Sequence, residues 1–325
     1  MRQDDILGSI PPRINIRGIL ETAMKKRVLV TGGSGLVGSR FVEFYSKKYD
    51  LVCPEYPAFD LTDIKNVNNH LSKSKPDVIV NFAAYTNVGE AENQRGDKKG
   101  DCYKINVEGV KNLLSATDPK VHFIHISTDM VFPGSKNDPG PYAEDHVPET
   151  NPDKLTWYGF TKAEGEREVL KVLGKEVPTI LRLIYPVRAH YGLKLDYLRK
   201  PLSLFDEGKL YPMFSDQHVS IAFVDEIAKT LEKIIDGGER GIFHASSRDT
   251  TTPYELVFYM IEKVRGKKSV VKSASLKEFL KTVDNPVRYP EFGGLAVENT
   301  EKRLAMKFST WKEIVDALIS QGLGK

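Results

Sequence analysis

The chain has 325 residues, 40% of them hydrophobic, enough for one large α/β core or for a nucleotide domain with a smaller lobe. Its 47 basic and 44 acidic residues leave a net charge of +3, with the signs interspersed, so neither nucleic acid nor an anionic membrane is implied as a partner. Two cysteines, Cys53 and Cys102, are too few for a disulfide framework and lack metal-ligand spacing, which fits a reducing compartment.

Residues 1–25, with Pro11-Pro12 in their middle, lack the apolar core of a signal peptide and read as an N-terminal extension. No run approaches the length of a membrane span, and a cytoplasmic protein is the expectation. From residue 26 the periodicity is regular. Arg27 to Thr31 (RVLVT) reads as a buried parallel strand and runs into Gly32, Gly35 and Gly38, followed by a helix with Phe41, Val42, Phe44 and Tyr45 on its inner face. A strand restarts at Leu51 to Cys53, then come a helix around 63–74, a strand at 77–82, a helix around 104–116 and a strand at 121–127. A helix over 156–173, ended by Gly174, precedes a strand at 179–185. This alternation predicts an α/β fold, a doubly wound parallel (Rossmann) sheet with a smaller C-terminal substrate lobe.

VSIAFV and GIFHAS read as short strands bracketing a helix from Asp225 to Ile235. They imply that the chain returns to the nucleotide domain, which then comprises 26–184 plus about 220–247. The lobe takes 185–219 plus 248–325.

Each glycine of the turn at 31–39 (TGGSGLVGS) has a physical task. The first allows the tight bend, the next lets the backbone approach a pyrophosphate, and the last lets helix pack on strand, while the helix start offers N–H groups to the anion. Gly32, Ser34, Gly35, Leu36, Val37 and Gly38 are therefore candidate cofactor residues. No Lys-Ser/Thr follows the last glycine, which disfavours a P-loop triphosphatase. Glu55, at the end of the second strand, can accept from ribose hydroxyls and leans the cofactor towards NAD; Arg40 and Lys47 are the candidate phosphate partners were it NADP.

Tyr158 and Lys162 share a helix face at a spacing of four. An ammonium beside a phenol stabilises the phenolate and poises it for proton transfer to a substrate oxygen. The spacing alone is equally an ordinary pair on a solvated helix. Its place after the glycine turn favours redox chemistry at a carbonyl. His122 and His125 lie in a strong β segment without Cys or carboxylate at ligand spacing, so they read as packed and no metal site is expected.

In chain order, TGGSGLVGS at 31–39, FDLTD at 59–63, KPDVIVNFAAYT at 75–86, ISTDMVFPG at 126–134, YGFTK at 158–162 and DQHVSIAFVDEIA at 216–228 carry a resemblance. The chain resembles the extended short-chain dehydrogenase/reductases, and within them the dTDP-4-dehydrorhamnose reductase family, over roughly residues 26–320. The resemblance implies NAD(P)H-dependent reduction of a 4-keto nucleotide sugar. Asp60-Leu61 would lie at the adenine, and Phe82, Ala83, Ala84 and Tyr85, with Ser127, would line the cofactor. Thr128, Tyr158 and Lys162 would form the catalytic set, with Tyr158 and Lys162 also among the cofactor-binding residues and Lys162 on the nicotinamide ribose. Val88, Glu90, Asp129, Met130 and Tyr185 are the candidate substrate residues, and pairing with a second copy of the chain is allowed.

Relatives that eliminate water carry Asp-Glu after the Thr; here Met130 replaces the Glu, which leaves simple reduction. The family usually reads Val-Asp-Lys-Ala-Glu after Ala-Tyr-Thr, whereas this chain has Glu90 for the Lys, a reversed charge beside an anionic substrate. Tyr185 stands where a Trp is common, and RAHYGLKLDYL after it finds no match. Two other readings stay open: a nucleotide-sugar epimerase, which uses the same residues, and a non-catalytic dinucleotide-binding subunit like the regulatory subunit of methionine adenosyltransferase.

Overall fold

The computed structural model describes residues 25–171 and 178–325; the N-terminal extension up to residue 24 and the helix end expected at Gly174 lie outside the described residues. The elements follow the hydrophobic pattern. β1 (Arg27–Thr31), β2 (Asp50–Val52), β3 (Val78–Asn81), β4 (His122–Thr128) and β5 (Thr179–Leu183) alternate with helices α1 (Gly38–Tyr45), α2 (Ile64–Ser74), α3 (Val88–Glu92), α4 and α5 (Trp157–Lys171). α4 is a composite: an α-turn at Asp101–Tyr103, a π segment at Lys104–Glu108 and an α-helix at Gly109–Ala116. Asp63 caps α2 by accepting from the Lys65 N–H, so the polar residue ahead of the apolar pattern fixes the helix start.

The main sheet is all parallel in the order β2-β1-β3-β4-β5-β9, where β9 is Gly241–Ala245. Alternation along the strands sends Val28, Val30, Val80, Ile124 and Leu181 into one core, and Leu29, Ile79, Phe123 and Ile180 into another on the opposite face. The order reverses between β1 and β3. In an open α/β sheet that switch point opens a crevice beyond the strand ends, which is where ligands bind.

Between β5 and β9 the chain leaves the sheet through β6 (Pro186–Val187), α6 (Arg199–Asp206), β7 (Met213–Phe214), β8 (Ala222–Phe223) and α7 (Val224–Gly237). Of the two short strands bracketing α7, β9 joins the main sheet, whereas β8 pairs with β6 in a separate two-stranded ladder. α7 returns to the sheet side: Arg40 on α1 forks onto Asp225 at 2.6 and 3.0 Å, and the Tyr45 and Tyr49 hydroxyls donate to Glu232 and Asp236. Val187, Leu198, Leu202, Ile221, Leu256, Met260, Trp311 and Ile314 build a second core. Val297, Leu304 and Phe308, by contrast, pack into the core of the main sheet. Among the described residues no helix is long and apolar enough to cross a membrane.

Candidate active site

The site forms where the switch point meets the C-terminal end of β4. Gly32 has φ +63°, and a Cβ there would stand 2.9 Å from the Ala83 nitrogen, so the glycine lets the first loop close against the loop after β3. The Phe82 N–H donates to Thr31 O at 3.2 Å and the Gly35 N–H to Gly32 O at 3.1 Å. No side chain caps the start of α1 at Val37, so the N–H groups of its first turn take no side-chain cap. Glu55 accepts from the Ser34 hydroxyl at 2.8 Å, beside the same loop. Arg40 is committed to Asp225 and Glu43.

Asp60 is occupied with its own turn, accepting from the Thr62 N–H and hydroxyl at 2.8 Å, while Leu61 is buried under α4 and its carbonyl takes the Asn112 amide at 2.8 Å. Ala84 is half-buried on the loop that runs on to Tyr85. The Tyr85 backbone exchanges hydrogen bonds with the Asn106 carboxamide at 2.8 and 3.2 Å. That residue, on the π segment, was not among the sequence candidates, although an Asn between the apolar positions of a helix face was a readable signal.

β4 is buried along its whole length and delivers Ser127 and Thr128 to the site. The Ser127 hydroxyl is buried without a partner among the described residues. Thr128 donates to Asp129 Oδ1 at 3.1 Å and accepts from the Met130 N–H at 3.2 Å. The start of α5 is held over this turn by two hydrogen bonds. The Thr156 hydroxyl accepts the Gly159 N–H at 2.9 Å, and Glu92 accepts the Trp157 N–H at 2.6 Å. A side chain at Gly159 would run into the Met130 carbonyl, so this glycine lets α5 lie directly on the 129–131 turn. Tyr158 is thereby brought beside Thr128.

The electrostatics differ from expectation in one respect. Burial pushes the Tyr158 phenol well up, the neighbouring Asp129 adds to this, and the Thr128 hydrogen bond opposes it. Lys162 does not hold the phenol down here, because its ammonium is turned to the strand: Nζ donates to Ile126 O at 2.7 Å and lies 3.2 Å from His125 Nε2. Burial lowers Lys162 to about 8, against the pull of Glu166. Asp129 is raised to about 7 by burial, opposed by its hydrogen bond from Thr128.

The substrate candidates are dispersed. Val88 is half-buried on α3, Glu90 faces solvent on the same helix, and Met130 is half-buried beside Thr128. Tyr185 has φ +34° and stacks on Tyr197 with ring centroids 4.1 Å apart, at the exit from β5 into the second core. Glu92 was missed by the sequence reading; besides Trp157 it takes the Asn285 amide at 3.0 Å, linking α3, α5 and the C-terminal region. Among the described residues no group of three His, Cys, Asp or Glu side chains is placed to hold a metal.

The family model for the RmlD substrate binding domain matches residues 25–323. The chain belongs to the dTDP-4-dehydrorhamnose reductase family. Within that family, a dTDP-4-dehydrorhamnose reductase of Aggregatibacter actinomycetemcomitans is 28% identical over 297 residues, 88% of this chain and 96% of that protein. A dTDP-4-keto-6-deoxy-D-glucose reductase of Streptomyces niveus is 30% identical over 72% of this chain and 77% of its own length. The crystal structure of dTDP-4-dehydrorhamnose reductase from Bacillus anthracis, in complex with NADP, superposes with a TM-score of 0.77 at 25% identity, covering 92% of this chain and 100% of that one.

Proposed function

We propose that this protein is an NAD(P)H-dependent oxidoreductase that reduces the 4-keto group of a nucleotide sugar. One arrangement carries the reading: two hydroxyls, from Tyr158 and Thr128, side by side at the end of β4, with Lys162 one helical turn away. The family relatives named as reductases of dTDP-linked 4-keto sugars support it.

The residues at the switch point fit a dinucleotide. The glycine turn admits backbone approach, the α1 start offers N–H groups to a pyrophosphate, and the orphaned Ser127 hydroxyl has its hydrogen-bonding capacity to give. The cofactor supplies the hydride. Tyr158 donates the proton to the carbonyl oxygen, which Thr128 also bonds, so charge that develops there is met by two donors. A phenol raised by burial is protonated at working pH, the form a general acid needs. Glu55 beside Ser34 favours NAD, since a carboxylate there accepts ribose hydroxyls and repels a 2′-phosphate. The second core, from 185 onward, would close over the sugar.

A panel of dTDP- and UDP-linked 4-keto sugars with NADH and NADPH, followed at the reduced-nicotinamide absorbance band, tests the proposal. Turnover with one sugar class supports it. Cofactor binding with no turnover on any sugar would favour the non-catalytic subunit instead.

A further inference from the structure

Behind Lys162, a line of buried polar groups crosses three strands. The Ala83 N–H donates to Thr31 Oγ1 at 3.1 Å, and Thr31 Oγ1 lies 2.6 Å from Asn81 Oδ1. Since the Thr31 oxygen is already accepting, its own proton goes to Asn81 Oδ1, and this turns Asn81 Nδ2 towards His125 Nδ1 at 3.2 Å. An amide nitrogen only donates, so His125 Nδ1 must accept. The imidazole is neutral, because complete burial and the nearby Lys162 hold its pKa well below the ordinary histidine value. Its single proton therefore sits on Nε2, 3.2 Å from Lys162 Nζ.

An N–H aimed at an ammonium sets two donors face to face, whereas the same N–H aimed at a neutral amine makes a hydrogen bond. We propose that Thr31, Asn81 and His125 form a directed hydrogen-bond chain, starting at the Ala83 amide, that stabilises Lys162 as the neutral amine. The three are positioning residues that act through Lys162, and their relevance to turnover rests on the reading of Lys162 as catalytic. The other groups that face Lys162 are Glu166 on its own helix, which favours the ammonium, the Cys102 thiol from α4, and the Ile126 carbonyl, which takes one lysine proton in either state. A lysine near 8 is already divided between both forms close to neutral pH.

The test reads Lys162 directly, on the full chain without cofactor or sugar. Lysine carrying a ¹³C label at Cε is incorporated, the Lys162 signal is assigned by its loss in Lys162→Met, and its midpoint is followed against pH. His125→Leu and Asn81→Leu are each expected to raise the midpoint by about one pH unit, since the opposing N–H is removed or freed to reverse. An unchanged or lowered midpoint overturns the proposal, even if the melting temperature falls, because a purely structural role predicts only the latter. If one variant fails to fold, the other decides. If both fail, the ¹⁵N spectrum of His125 in the unaltered protein decides: a protonated Nε2 supports the chain and a protonated Nδ1 overturns it. Because no substrate is involved, the chain of hydrogen bonds and the reductase reading can fail separately.

Discussion

Arg182 on β5 and Glu166 on α5 form a forked ion pair with neither side chain exposed to solvent: Nη2 donates at 2.8 Å and Nε at 3.0 Å. Arg182 also reaches the Glu144 carbonyl and lies 4.9 Å from the Phe132 ring centre. The pair pins the middle of the helix that carries Tyr158 and Lys162 to the sheet. Removing one partner would leave a buried charge uncompensated, which typically costs about 3–5 kcal/mol. Glu166→Gln and Arg182→Met should each lower stability by that order in chemical denaturation. Lys171→Ala, which breaks an exposed pair with Glu168, should change it by less than about 1 kcal/mol. Equal effects in the two cases would show that burial is not what gives the first pair its importance.

Asp129 sets a pH dependence of stability. Its carboxyl is raised from 3.8 to about 7 in the folded chain. Between those values the folded state holds a proton on Asp129 that the unfolded state has released, so this group's contribution to stability falls as pH rises from about 4 to about 7. Asp129→Asn removes that proton difference. Relative to Asp129→Asn, the unaltered protein should lose stability, on the order of a few kcal/mol, across this window; the buried His122, His125 and His244, whose pKa values burial lowers, act in the opposite direction in both proteins and cancel in the difference. Parallel profiles from urea melts at pH 4.5, 6 and 7.5 would argue that Asp129 is paired or hydrated in solution.

The N-terminal half of this fold was legible in the sequence because its signals are local. RVLVT is apolar on both faces, and the glycines follow it at once, so β1, the turn and α1 could be placed from a dozen residues. GIFHAS was likewise readable as a strand, and it closes the edge of the sheet. What was not legible depends on partners far along the chain. VSIAFV has the character of a sheet strand, but its residues Ala222 and Phe223 pair with Pro186 and Val187 outside the main sheet. His125 and Asn81 look like isolated polar residues in apolar strands, and only the register of β3 against β4 sets them side by side. The direction of the Lys162 side chain was equally hidden, since a spacing of four fixes the helix face and says nothing of the Ile126 carbonyl that captures the ammonium.

Gly35 tests the pyrophosphate site. A Cβ at this position would lie 3.2 Å from Gly32 O, which is tight but tolerable for the fold, while an Asp carboxylate would stand at the start of α1 where an anion is to bind. Gly35→Asp should abolish dinucleotide binding and leave the circular dichroism spectrum unchanged. Calorimetry showing unaltered cofactor affinity in the folded variant would remove the glycine turn from the site.

The acid itself is tested by two substitutions with different signatures. Tyr158→Phe removes one hydroxyl and keeps the ring packed against the cluster of Ala91, Cys102, Tyr103, Val107 and Trp157, so melting temperature and cofactor affinity should hardly change. Turnover should fall by about a hundredfold to ten-thousandfold, the usual contribution of a positioned general acid. Lys162→Met should do more, because it strips the Ile126 carbonyl and His125 of their buried partner as well as removing the contact to the nicotinamide ribose that the family resemblance implies. Cofactor affinity should weaken in this variant along with kcat. The two therefore separate in a plot of kcat against Kd for the cofactor: Tyr158→Phe moves along one axis only, Lys162→Met along both. Near-full turnover in Tyr158→Phe on the true substrate would return Tyr158 and Lys162 to an ordinary pair on one helix face.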